Sequence, residues 1–295
     1  MAEKRKFYGM RNDYMFHAVL QKNEEVLRNL LATLLEIDEA KIESCHIENP
    51  IELGKEIEGK ECILDVKLTL NNDKVINIEL QVYKQTHWIN RSLLYWARTY
   101  DNLKSGQDYS MLLPAYHIGI LDFTLFENHP KFMAQYQILD VEDGYLYSDK
   151  LCIKVLDLTQ LEKAKQEPET NKKLLKWASI FKAETLEELE QLASGEEVFE
   201  NMVVTMKKLS EDEKIRMQCE AREDYERSLL TEYNAGKSEG MEQGIASERR
   251  NTEKERQRAE KESQRAEKER QRAEKESQRA DALAAEVKRL RALLK

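Results

Sequence analysis

At 295 residues the chain can hold one medium domain with appendages, or two small domains. It is 35% charged and 41% hydrophobic, with no apolar run of about 18 residues, so no membrane-spanning helix is expected. The net charge of −9 is uneven: 16 Lys and Arg face 11 Asp and Glu from Glu248 onward, and 31 face 45 before it. Phosphate-gripping surfaces are usually basic, which counts against a simple DNA-coating role and makes any nucleic-acid contact local or metal-assisted. The first residues lack the apolar stretch of a secretory signal. Cys45, Cys62, Cys152 and Cys219 show no CxxC spacing, which suits free thiols in a reducing compartment. A cytoplasmic setting is the expectation.

A short helix is expected around residues 13–20. Residues 23–36 (NEEVLRNLLATLLE) carry apolar side chains at 26, 27, 30, 31, 34 and 35, an amphipathic helical period that Asn23 can cap. A strand is possible near 42–47. Residues 62–70 (CILDVKLTL) and 75–83 (VINIELQVY) alternate with period two and flank Asn71-Asn72-Asp73, a turn-forming triplet. Residues 88–103 (WINRSLLYWARTYDNL) read as a helix and 116–123 (YHIGILDF) as a buried strand. Shorter strand pieces follow at 136–139, 145–147 and 151–155, and a charged helical pattern covers about 171–234. The order predicts a mixed α/β sheet. Gly236, Gly240 and Gly244 lie four apart among polar residues, as in a flexible or loosely packed helix.

The tail is an internal repeat. TEKERQR, AEKESQR, AEKERQR and AEKESQR run from Thr252 to Arg279 with period seven. Ala259, Ala266, Ala273 and Ala280 share one heptad position, and Leu283, Val287, Leu290 and Leu294 continue the register. Two readings stand: a solvated single helix held by Glu–Arg pairs three and four apart, or a coiled coil sealed at its C-terminal tip. Association through residues 280–295 follows from the second.

The two alternating segments carry the chemistry. A three-residue loop pairs residues whose numbers sum to 144, setting Asp65 opposite Glu79 on one face with Cβ atoms about 5 Å apart. Loops of two or four residues put them on opposite faces. Opposed like charges on a sheet repel, and a hard divalent cation compensates them directly. The plainer alternative is a solvated face on which Lys67 neutralises one acid. On the following helix Arg91, Tyr95, Arg98 and Asn102 share a face, with Leu93, Trp96, Tyr100 and Leu103 on the expected buried side. The arginines and tyrosine suit either DNA phosphate or surface salt bridges. Cys45-His46 lack spaced partners for zinc, and there is neither a GxSxG elbow nor a GxxxxGK[ST] loop. His87 and His117 read as packing or surface histidines.

NDYMFHAVL, KECILDV, INIELQ, NRSLLYWARTYDNLKSGQDY, HIGILDF and LSEDEKIRMQCEAREDYE together resemble the recombination-promoting nuclease (Rpn) or putative transposase family of the PD-(D/E)XK nuclease superfamily, over about residues 10–235. The resemblance implies a restriction-endonuclease-like PD-(D/E)XK α/β core with a mixed sheet and a following helical region, and the heptad repeat adds a long C-terminal coiled-coil helix. Resemblance and residue pattern together divide the chain into a nuclease core (1–130), a β extension (131–165), a helical region (166–235), a Gly-containing linker (236–247) and the heptad helix (248–295). The resemblance implies a DNA endonuclease using Mg²⁺, or Mn²⁺, held by Asp65, Glu79 and the backbone carbonyl of Leu80. Gln81 stands where the superfamily usually has lysine, and can hydrogen-bond the attacking water without adding charge. Lys67 is the candidate substitute cation, and Asp13, with Glu25 second, the candidate N-terminal acid. Arg91, Tyr95 and Arg98 are the implied phosphate contacts. The rival function is a catalytically weak DNA-binding or interaction module on the same fold.

Overall fold

The computed structural model describes residues 6–51, 53, 65–84 and 86–293, with the backbone alone at 285 and 288–293. The chain begins with α1 (Asp13–Lys22) and α2 (Glu24–Leu35). Asn12 caps α1 by accepting from the Met15 amide at 3.1 Å, and Asn23 caps α2 by accepting from Val26 at 3.2 Å. Then come β1 (Cys45–Ile47), β2 (Val66–Leu70), β3 (Lys74–Gln81), α3 (Trp88–Tyr100) and β4 (Ala115–Leu121). The first residues of the expected strand, 62–64, lie outside the described residues. After β5 (Met133–Leu139), the two pieces expected at 145–147 and 151–155 form a single strand, β6 (Leu146–Asp157). Register shifts near Tyr136 and Ile138 let β5 follow β6 along this length. The helices α4 (Leu161–Ala164), α5 (Lys172–Lys182), α6 (Leu186–Ala193), α7 (Glu197–Glu211) and α8 (Glu213–Leu293) complete the chain.

The six strands form one mixed sheet in the order β1-β2-β3-β4-β6-β5. β1, β2 and β3 run antiparallel, while β3, β4 and β6 are parallel neighbours. Parallel pairing of β3 with β4 requires a crossover, and α3 supplies it. The sheet is thereby covered on both faces. Val66, Leu68, Ile76, Ile78, Ile118 and Ile120 join α1 and α2 in the main core. The helices after residue 166 belong to that same core: the Trp177 ring centroid lies 5.7 Å from Phe181 and 5.2 Å from Phe199, and Phe181 lies 5.9 Å from Phe16. Burying each such ring contributes about 1.5–3 kcal/mol. The Trp177 indole N–H donates to Asn29 Oδ1 at 3.0 Å, so its polar atom is satisfied. The buried Lys154 amine likewise donates to the Leu34 carbonyl at 3.0 Å, meeting the C-terminal end of α2.

A smaller cluster of Trp88, Leu121, Phe123, Ile153 and Val155 lies on the other face, under α3. Trp88 reaches the sheet because position 119 has no side chain: a Cβ there meets Trp88 Cζ2 at 2.4 Å. This contact sets the rotation of α3, whose buried residues are Trp88, Ser92 and Thr99. Leu93, expected on the buried side, is therefore 47% exposed. Asn102, expected beside the arginines, braces the way into β4 through hydrogen bonds of 3.2 Å with both the N–H and the C=O of Leu113.

Residues 1–228 form one compact unit and 229–295 a second. α8 runs without interruption through Gly236, Gly240 and Gly244, where the sequence suggests a linker. Each glycine costs a helix about 1 kcal/mol, and Lys, Glu, Met and Gln between them are good helix formers. Within the second unit Gln257 donates to Glu253 at 3.1 Å and Gln271 to Glu267 at 3.3 Å, both four residues apart. Among the described residues no helix is long and apolar enough to cross a membrane. Cys45, Cys152 and Cys219 are free thiols.

Candidate active site

The β2–β3 hairpin is closed by Asn71 and Asn72, both left-handed at φ 51° and 55°, a conformation asparagine tolerates better than most residues. The Asn71 side chain accepts from the Glu43 and Ser44 amides and donates to the Lys41 carbonyl, which pins the turn against the segment before β1. The register runs from Leu70 with Lys74 to Val66 with Ile78. One step further sets Asp65 opposite Glu79. Asp65, Asn77 and Glu79 share the α3 face, while Ile76 and Ile78 point into the main core. Asn49 holds the start of β2: its Nδ2 donates to the Asp65 carbonyl at 2.7 Å and its Oδ1 accepts from the Lys67 amide at 2.8 Å.

Both acids are buried, Asp65 at 6% exposure and Glu79 at 1%. Burial first, and the neighbouring Glu79 charge second, push Asp65 up to about 7; Asp13 adds to the rise, while Arg91 and the Asn77 hydrogen bond oppose it. Arg91, from the first turns of α3, places Nη2 2.5 Å from Glu79 Oε1 and stacks its guanidinium over Tyr95 at 5.1 Å. The sequence reading has Arg91 facing phosphate; here it faces the acid pair and keeps 27% side-chain exposure. Tyr95 lies beside it and Arg98 is exposed.

The other expected participants are distributed around this pair. Lys67 lies two residues along the same face, but its amine is 3.0 Å from Glu48. Gln81 follows Glu79 on the same face and donates to the Tyr83 carbonyl at 3.3 Å. The Gln81 carbonyl accepts from Asp122 on the β4 side. Successive carbonyls of an extended strand alternate, so that of Leu80 points to the β2 edge, where Asp65 stands. Asp13 is held by Arg222 of α8, whose Nε lies 3.0 Å from both carboxylate oxygens. Its charge reaches Asp65 electrostatically. Glu25 accepts from Asn201 at 3.2 Å on the far helical layer.

Two residues that sequence reasoning passed over complete the arrangement. Asn77 Nδ2 lies 3.4 Å from Asp65 Oδ2 and 3.2 Å from His117 Nδ1. His117 Nε2 lies 3.5 Å from Glu79 Oε2. The one signal for them was Asn77 itself, a polar residue two before Glu79 on a strand otherwise rich in isoleucine. His117 sits in an apolar run that reads as core.

The available donors are two carboxylates and a strand carbonyl, an all-oxygen set suited to a hard cation that keeps some of its water. The pair's excess negative charge, visible in the raised Asp65 and in the arginine drawn onto Glu79, fits a divalent ion. Among the described residues no three His, Cys, Asp or Glu side chains converge as a ready-made ligand cage. No curated protein and no solved structure matches the chain. The family described as PD-(D/E)XK nuclease family transposase matches residues 10–233, across the sheet, the acid pair and the helical layer. With that match spanning most of its length, the chain belongs to the PD-(D/E)XK nuclease family transposases.

Proposed function

We propose that this protein is a DNA endonuclease that hydrolyses phosphodiester bonds with Mg²⁺, or Mn²⁺, held by Asp65, Glu79 and the Leu80 carbonyl. The observation that carries this reading is the meeting of two buried carboxylates on one face of neighbouring strands, where burial and mutual repulsion raise Asp65 to about 7. A cation held there supplies Lewis acidity towards phosphoryl oxygen and makes water a better nucleophile near neutral pH. The chain's own groups do the rest. Arg91 neutralises Glu79 and, being partly exposed, stands where a DNA phosphate would approach, with Tyr95 and Arg98 along the same helix. Gln81 offers its amide to the attacking water, and Asp13 adds negative charge at the edge of the site. The acidic balance before Glu248 keeps DNA contact local to this helix.

Plasmid nicking with Mg²⁺ or Mn²⁺ tests the proposal: Asp65→Ala and Glu79→Ala abolish cleavage while the folded circular-dichroism signal survives. Equal nicking by wild type and both variants refutes it.

A second reading, a DNA-binding module that cuts weakly or not at all, is favoured by one observation: neither nearby candidate supplies a free cation to the acids, since Gln81 is neutral and Lys67 is taken by Glu48. DNA binding with no cleavage in either metal selects it. In both readings the heptad tail associates copies of the chain through residues 280–295. Its support is the Ala–Leu seam of the sequence and the continuous helix of α8.

A further inference from the structure

Between the two acids stands a pair of side chains that hydrolysis as proposed does not use. The Asn77 amide nitrogen contacts Asp65 Oδ2 at 3.4 Å and His117 Nδ1 at 3.2 Å. An amide nitrogen bears two hydrogens and accepts nothing, so both contacts are donations. His117 Nδ1 is therefore the acceptor, and the ring proton sits on Nε2, the atom 3.5 Å from Glu79 Oε2. The ring is fully buried, with the Trp88 and Tyr95 rings beside it at 5.9 and 6.3 Å. Its strand is parallel to β3, with His117 beside Asn77 and Gly119 beside Glu79.

We propose that Asn77 and His117 are positioning residues: Asn77, on β3, donates to Asp65 and to the His117 ring of β4, which it thereby holds 3.5 Å from Glu79, and the two together set the spacing of the acids for a divalent cation. The inference rests on the metal reading above. Carboxylates repelling each other across two strands drift apart unless held: Asn77 donates to Asp65, while Glu79 has Arg91 at 2.5 Å and the His117 ring, placed by Asn77, at 3.5 Å. Groups that orient metal ligands in this way are worth about 10–100-fold in metal affinity.

Calorimetric titration of the full-length protein with Mn²⁺ alone tests it, together with ¹⁵N imidazole NMR of the metal-free protein. His117→Gln, whose amide presents both an acceptor and a donor, keeps Mn²⁺ affinity within about 3-fold, whereas His117→Leu weakens it about 10–100-fold with the melting temperature little changed. If His117→Leu does not fold, Asn77→Val carries the test, with the same loss expected. NMR shows the Nε2–H tautomer. The proposal is overturned by wild-type affinity in a folded His117→Leu or Asn77→Val, by His117→Gln losing as much as the leucine variant, or by an Nδ1–H ring. A wild-type titration indistinguishable from that of Asp65→Asn overturns the metal reading itself, and this proposal with it.

Discussion

Arg91→Ala isolates the electrostatics of the acid pair. The substitution leaves Glu79, 1% exposed, without its cation, while Asp65 still faces it. Breaking a buried ion pair by removing one partner costs about 3–5 kcal/mol; with Arg91 partly in solvent, screening brings this to about 2–3 kcal/mol. For a domain of this size that lowers the melting temperature by about 5–10 °C. Below pH 7 Asp65 can take up a proton and relieve part of the strain, so the measurement belongs at pH 8 in the presence of chelator. Tryptophan fluorescence is the right monitor, because Trp88, Trp96 and Trp177 all lie in the first unit while circular dichroism is dominated by helix. Adding Glu79→Gln removes the orphaned charge and restores most of the loss, giving a coupling of about 1–3 kcal/mol in the double-mutant cycle. A single variant melting within about 1 °C of wild type, a shift equivalent to well under 1 kcal/mol, refutes the view that Arg91 compensates a buried acid.

Three further outcomes follow. Gly119→Ala drives a methyl into Trp88 and destabilises the protein by about 1–3 kcal/mol, with a shifted tryptophan emission maximum; unchanged emission and stability contradict the close approach. Glu226 is raised from the ordinary 4.5 to about 7, by burial and then by Asp13, so its protonated form favours the folded state below 4.5 and that contribution is lost as pH rises through 7. Glu226→Gln therefore gains stability over wild type above pH 7, by about 1–2 kcal/mol after screening, and little near pH 4; thermal melts across that range check the sign. Removing residues 280–295 abolishes self-association in sedimentation velocity, and a truncated protein that still sediments as an oligomer places the interface elsewhere.

The hairpin was legible because its constraints are local. Period-two alternation on both sides of a three-residue Asn-Asn-Asp loop leaves one pairing that keeps Val66, Leu68, Ile76 and Ile78 on a common apolar face. The caps Asn12 and Asn23 act within three residues of themselves, which is why α1 and α2 are readable as well. What escaped was set by distant partners. The rotation of α3 depends on Trp88 meeting a bare position on β4, which hydrophobic periodicity does not encode, so Leu93 was assigned the wrong side. Lys67 is drawn off by Glu48 from the segment before β2. His117 becomes part of the site only because a parallel crossover lays its strand beside Asn77.

The clamp between Asp13 and Arg222 joins positions 209 apart, and Asn12 reaches the Cys219 carbonyl over nearly the same distance. At about 5–20 residues per second, the N-terminal acid leaves the ribosome roughly 10–40 s before the arginine that holds it. For about 7–30 s of that interval, from Glu79 to Arg222, the hairpin acids are made but the helical layer behind them is unfinished. Whatever Asp13 contributes to the acid pair, its own clamp is completed only after both hairpin acids have been made.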